Sequence, residues 1–411
     1  MKIQRTLPPV GAPLNLKDLL FGIAGMLRPS KALRKFEEEL QAYFGVKHVF
    51  LVSSGKAALT LILHTLNELT GKVEVVIPSY TCFSVPSAVV RAGLKPVICD
   101  IKENDFNYDE RRLAELVNQN TLCVIATHLF GIPCEMEPIV SAAKSTGAWV
   151  VEDAAQAMGA ELEGKKAGTL GDVGFFSLGR GKCLSTVSGG IITTDDDRLA
   201  DSLLRKIQSL KGPSLIDQLT TLGVAVFLYI FSRPSLYWFP AGLPFLKLGQ
   251  TIYSTQFPLK KLGGLNAGLA ANWRKKLEAF NQARRENANA YRSALDESGL
   301  LLIQEPAHSS ATWLRFPVVA NTPEQRDELL ARLTAVGLGA SPNYPTGIAE
   351  IPELAVSKAV RVRCRNGNIL ASRILTLATH SGVRPSMMDE MRKTMWSGRN
   401  IPDLPFERQT S

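Results

Sequence analysis

Two side chains in this sequence have the types and spacing for chemistry on a carbonyl: Asp153, in Val-Val-Glu-Asp-Ala-Ala-Gln, and Lys182, in Gly-Phe-Phe-Ser-Leu-Gly-Arg-Gly-Lys. A lysine amine holds an aldehyde as a Schiff base, and a carboxylate bonded to a ring nitrogen keeps that ring protonated, so that it draws electrons from a substrate carbanion. Pyridoxal phosphate chemistry needs that pair. Taken singly, each residue also has a plainer reading, Asp153 as the cap of the helix that follows and Lys182 as a surface lysine on a polar turn. The flanking residues shift the balance. Residues 148–152 form an apolar run ending in acids, which predicts a buried strand that delivers Asp153 to the end of a sheet. Residues 173–178 predict a second such strand, and the Gly-Arg-Gly after it forces a turn that carries Lys182 back over the same end.

The surrounding residues add a resemblance. Glu-Asp-Ala-Ala-Gln-Ala (152–157), Gly-Asp-Val-Gly-Phe-Phe-Ser (171–177), Lys182 five residues later and Gly-Gly-Ile-Ile-Thr-Thr-Asp (189–195) together resemble the DegT/DnrJ/StrS family of sugar aminotransferases. Phe-Glu-Glu-Glu-Leu near residue 36, Ser-Ser-Gly-Lys-Ala-Ala-Leu (53–59), Pro-Ser-Tyr-Thr (78–81), Lys-Pro-Val-Ile-Cys-Asp (95–100), His-Leu-Phe-Gly (128–131) and Asn-Tyr-Pro (343–345) agree in order. The likeness covers most of the chain except about 213–262. It implies an α/β fold of the fold-type I pyridoxal phosphate transferases and a homodimer that builds its site across a two-fold axis. It also implies transfer of an amino group from glutamate or glutamine to a keto-sugar, commonly nucleotide-linked. By the same resemblance Lys182 is catalytic, Asp153 holds the pyridine nitrogen, Gln156 reaches the ring hydroxyl and Ser177 reaches the phosphate. The aromatic residue that stacks on the ring in the family is replaced by Cys82 here, which leaves Phe83, one place on, as the candidate. Just before the helix that starts near Leu265 the family carries an asparagine for the phosphate of the partner's cofactor. Leu259 and Lys261 stand at the corresponding positions, so Lys56 and Lys261 become candidates to replace that contact.

The elements that must position these residues are readable as alternation. Apolar runs at 47–52, 73–77, 95–99, 121–126 and 148–152 are separated by helical stretches near 55–68, 84–92, 109–118 and 135–146. That order predicts a mostly parallel sheet with helices on both faces, whose site lies at the carboxyl ends of the strands. Ser54, Gly55 and Lys56 follow the first strand and open a helix whose free amides suit a phosphate. An ATP loop is a poor reading of Gly55-Lys56, because Phe50 stands where its leading glycine belongs. His128, after the fourth strand, reads as a hydrogen-bonded structural histidine and is left out of the site. A long helix over 265–295 leads into a smaller α+β domain, with a strand near 313–319 and helices near 324–335 and 385–396. The domain organisation is thus an N-terminal arm (1–30), a large cofactor-binding domain (31–212), an apolar insertion (213–262) and a small C-terminal domain (263–411).

With 411 residues, 45% of them hydrophobic, the chain supports two cores and excludes a disordered or fibrous protein. The net charge of +9 suits an acidic partner or a phosphorylated substrate. The basic residues are scattered and not interleaved with aromatics, which argues against nucleic acid. Six cysteines without Cys-x-x-Cys spacing predict reduced thiols, a cytoplasmic chain and no metal. The first residues lack the apolar core of a signal peptide. The insertion is the departure: 219–232 carries no charge, and after Arg233 another uncharged run, broken by prolines, reaches 246. It reads as packing against protein, as a peripheral membrane contact through 219–246, or as a pocket for a lipid-linked acceptor. Two rival functions remain. One is a sugar dehydratase, although family members that dehydrate carry histidine in place of the lysine. The other is a regulatory or membrane-scaffold protein that binds the cofactor without turnover.

Overall fold

The structure is a computed structural model and describes residues 5–243, 249, 251–355 and 364–396. Helices α1 (Leu16–Leu27) and α2 (Pro29–Phe44) lead into β1 (His48–Val52), α3 (Gly55–Thr70), β2 (Glu74–Pro78), α4 (Ser84–Arg91) and β3 (Lys95–Cys99). Then come α5 (Glu110–Leu116), β4 (Thr121–Thr127), α6 (Met136–Lys144), β5 (Trp149–Asp153), the short β6 (Glu161–Leu162) and β7 (Lys165–Lys166), β8 (Val173–Ser177), β9 (Gly190–Thr194) and α7 (Asp197–Ser209). The insertion forms α8 (Leu215–Phe231) and α9 (Trp238–Ala241). The chain closes with α10 (Gly264–Leu269), α11 (Trp273–Leu295), β10 (Leu301–Leu302), β11 (Ser309–Ser310), β12 (Arg315–Val319), α12 (Pro323–Ala335), α13 (Arg365–Arg373), β13 (Ile374–Ala378) and α14 (Pro385–Trp396).

The large sheet has the order β1-β9-β8-β5-β4-β2-β3. All its pairings among β8, β5, β4, β2 and β3 are parallel, and β9 runs antiparallel between β8 and β1. Six strands therefore end on one side, as the alternating sequence predicts, and the helices bury both faces. Ile125 and Val151 belong to the core under α3, while Val124 and Val150, one residue away, belong to the core under α5 and α6. A second sheet, β10-β12-β13, is antiparallel and packs with α11 to α14 as the smaller unit.

One expected element differs. The single helix over 265–295 is two, because Asn272 takes a left-handed conformation (φ 62°) between α10 and α11. The break lets α10 lie along α1, with Leu265 and Leu269 against Leu19, while Trp273 turns into the other core. There the Trp273 ring meets Tyr43 edge-on at 5.0 Å and its Nε1–H donates to Glu39 at 2.9 Å. α8 opens on a capping box formed by Ser214 and Asp217, yet among its residues only Ala225 is fully buried. Among the described residues no helix is long and apolar enough to cross a membrane.

Candidate active site

Asp153 is the last residue of β5, Ser177 the last of β8, and Ser54-Gly55-Lys56 follows β1, so parallel strand polarity alone brings them to one rim. They line a cavity of about 170 Å³ together with Gln156, Cys82 and Lys182. Lys182 arrives from a loop in which Gly181 adopts φ 73°, the left-handed turn that the Gly-Arg-Gly demands. That loop is tied to the sheet by the Leu178 N–H, which donates to the Gly189 carbonyl at 2.8 Å. Asn266 fixes its far end by donating to the carbonyls of Thr186 and Ser188 at 2.9 and 3.0 Å.

The electrostatics follow from burial. Asp153 is 6% exposed, and desolvation pushes its carboxyl above the usual carboxylate range, against the opposing pull of the Lys182 ammonium and of the Ala155 N–H, which donates to it at 3.0 Å. Burial likewise lowers the Lys56 ammonium, whose Nζ lies 4.6 Å from the centre of the Phe257 ring. Ser54 caps α3 through the Ala57 N–H at 3.1 Å, leaving the Gly55 and Lys56 amides as first-turn donors without intrahelical partners. A methyl group on Gly55 would stand 2.9 Å from the Ser177 Cβ, so only glycine lets the helix end and the strand end close this corner. A carboxylate, an amine, a helix N-terminus and a hydroxyl around one small cavity match the donor set that pyridoxal phosphate needs for its ring nitrogen, aldehyde and phosphate.

Every residue predicted for the site lines this cavity except Phe83 and Lys261. Phe83 precedes the first turn of α4 with helical backbone angles (φ −59°, ψ −12°) and is 6% exposed, and its ring stacks at 6.4 Å on Tyr344 behind the cavity wall. Cys82 takes the wall position instead, its sulfur 2.7 Å from the Ser84 hydroxyl. Gln156 is not a solvated helix residue: it is 7% exposed and its Nε2 donates to the Tyr344 hydroxyl at 3.0 Å. Lys261 points elsewhere, donating to the Gln208 carbonyl at 2.9 Å. His128 is fully buried, its Nδ1 accepting the Cys134 N–H and its Nε2 2.8 Å from Glu152, and these contacts prop the sheet. Glu152 is held in turn by the N–H groups of Gly168 and Gly171.

Two further features are not assigned from the sequence. Arg284 of α11 is fully buried and reaches the loop beside Lys182, donating to the Cys183 carbonyl at 3.2 Å, Asn281 Oδ1 at 2.8 Å and the Gly11 carbonyl at 3.0 Å. A second, larger cavity of about 390 Å³ adjoins the first through Cys82, Gln156 and Lys182. Its remaining wall comes from five separated stretches: Pro8 to Leu14, the loop of Arg180, Gly181 and Ser185, the insertion (Phe227, Leu228, Tyr237 and Thr251), Arg315 and Asn343-Tyr344. The Asn-Tyr-Pro motif was a visible signal for Tyr344, and the lone charge in Trp-Leu-Arg-Phe-Pro was one for Arg315.

Comparison with known proteins agrees with this geometry. A profile of the DegT/DnrJ/EryC1/StrS aminotransferase family matches residues 24–215 and 259–395, skipping most of the insertion. The chain is 38% identical to a GDP-perosamine synthase of Caulobacter vibrioides over 44% of this chain and 47% of that protein. The solved structure of a sugar aminotransferase, CalS13 from Micromonospora echinospora, superposes with a TM-score of 0.76 at 20% identity, covering 97% of this chain and all of that one. E. coli GDP-4-keto-6-deoxy-D-mannose-3-dehydratase with bound hydrated pyridoxal phosphate gives the same TM-score, 0.76, at 19% identity over 95% of this chain and 100% of that one. Equal likeness to a transferase and a dehydratase establishes the fold and leaves the choice of reaction to the residues.

Proposed function

Because this chain belongs to the DegT/DnrJ/EryC1/StrS aminotransferase family, whose chemistry runs on pyridoxal 5'-phosphate, we propose that it moves an amino group from glutamate or glutamine to a keto-sugar. The acceptor in this reading is nucleotide-linked and belongs to cell-surface glycan, polysaccharide or antibiotic sugar synthesis. The observation that carries it is that Lys182 and Asp153 line one cavity. Bound pyridoxal phosphate supplies an aldehyde that takes up an amine and a ring that accepts electrons. Asp153, buried at the end of β5, would keep a proton on the ring nitrogen. Lys182 would hold the aldehyde carbon through its Nζ and, once freed, that amine would move a proton between the substrate carbon and the cofactor carbon. The first-turn amides of α3, the Ser177 hydroxyl and Lys56 would hold the phosphate, and Gln156 would reach the ring hydroxyl. Lysine at 182, where dehydrating relatives carry histidine, favours transfer over dehydration.

The test is a half-reaction. Mixing the holoenzyme with glutamate or glutamine should bleach its visible absorption, and a keto-sugar from a panel of nucleotide-linked candidates should restore it with formation of the amino-sugar. A protein whose spectrum neither donor changes is not a transaminase. The reading also takes the chain as a cytoplasmic homodimer, supported by six free cysteines and by exposed apolar residues on α1 and α8, among them Leu16, Leu27, Leu215 and Ile216. Peripheral membrane contact through 219–246 belongs to it only if deleting that stretch abolishes vesicle flotation.

A further inference from the structure

Arg315 opens β12 and lines the larger cavity beside Lys182, Gln156 and Tyr344. Its Nη1 is buried and has no hydrogen-bond partner among the described residues. Nor does it join any ion pair between described residues. The groups that face its charge are Tyr344, Tyr237, Tyr80 and Cys82, none of them a carboxylate, and burial lowers its affinity for its own proton. Arg284, the fully buried arginine near the site, shows the contrast: although its Nε has no partner, its two terminal nitrogens are occupied by two backbone carbonyls and an amide oxygen. A desolvated cation without a counter-charge is costly, and a folded chain keeps one where an anion arrives to pair with it. The planar fork of a guanidinium fits an oxyanion, carboxylate or phosphate, through two parallel hydrogen bonds.

We propose that Arg315 is the oxyanion-recognising residue of the larger cavity and binds an anionic group of a substrate held beside Lys182. The identity of that substrate rests on the transaminase reading; the existence of the site does not. Two sources share the chemistry: the side-chain carboxylate of a dicarboxylic amino donor, and the diphosphate of a nucleotide-linked acceptor.

Calorimetric titration of the holoenzyme with glutarate, and separately with dTDP, UDP and GDP, distinguishes them. Arg315→Met should weaken at least one of these probes by about tenfold or more, the loss expected for a charge-assisted pair. Arg315→Lys, which keeps the charge and loses the fork, should weaken the same probe less. Weakening of glutarate assigns the residue to the amino donor, and weakening of a nucleoside diphosphate assigns it to the acceptor. Equal binding of all four probes by wild type and variants, or binding of none by wild type, overturns the proposal. If Arg315→Met does not fold, Arg315→Lys must still weaken one probe severalfold. An enzyme that transfers amino groups with unchanged probe binding contradicts this site alone, whereas a protein that binds through Arg315 and never transfers contradicts the function alone.

Discussion

The two halves of the cleft are built in different ways. The smaller cavity is made at the ends of neighbouring parallel strands, each of which hands one or two polar residues to a common rim. The larger one is walled by five stretches far apart in sequence, including the insertion that the family profile passes over. The first half follows from strand polarity; the second depends on tertiary packing of stretches far apart in sequence. We read the first as the cofactor's half and the second as the substrates' half. The predictions below are ways to break that division or to make it sharper.

Lys182→Ala should give the largest effect, lowering turnover by at least about a thousandfold and removing the visible absorption of the bound cofactor, as measured by steady-state kinetics and spectrum. Retained absorption would mean that another amine, such as Lys56, holds the aldehyde. Next comes the joint between the halves. Arg284→Met strips the hydrogen bonds that tie α11 to the Cys183 and Gly11 carbonyls, and denaturant unfolding should show a loss of about 2–4 kcal/mol. An unchanged midpoint would mean that those carbonyls find water instead.

The extent to which this was legible in the sequence follows the same division. The parallel strands of the large sheet came out within a residue or two, because each is a short apolar run between polar ends, and the residues proposed for the site are chosen at their carboxyl ends for that reason; β9 and β13 are not read as strands. Phe83 does not line the cavity, because being one residue from Cys82 decides nothing once α4 begins: the first turn rotates that ring into the core. The helix break at Asn272 gave no local signal, since what drives it is the docking of α10 on α1 and of Trp273 in its own core. The insertion could be recognised as apolar, but no periodicity says which cavity an apolar helix will wall.

Two smaller effects sharpen the contrast. Phe227→Ala, in the insertion, should raise KM for the acceptor by about tenfold, the worth of one buried aromatic contact, and leave the glutamate half-reaction unchanged in stopped-flow traces. A slowed donor half-reaction would place the insertion in the cofactor's half. The smallest effect concerns the apo-protein. The Asp153 carboxyl is raised in the fold above its unfolded value, so its ionised form costs stability at pH 8, and that cost disappears as pH falls through the raised pKa. Asp153→Asn should therefore melt higher than wild-type apo-protein at pH 8, with the gap closing toward acid. A gap that widens toward acid would mean that Lys182 overcompensates for burial.

The central claim is that Lys182, and no other amine of this rim, faces Asp153 across the space that holds the cofactor. Borohydride reduction of the pyridoxal phosphate-loaded protein, followed by proteolysis and peptide mass analysis, tests it most directly. The account predicts a phosphopyridoxyl group on the peptide carrying Lys182 alone; the group on Lys56, or on no lysine of this rim, would contradict it.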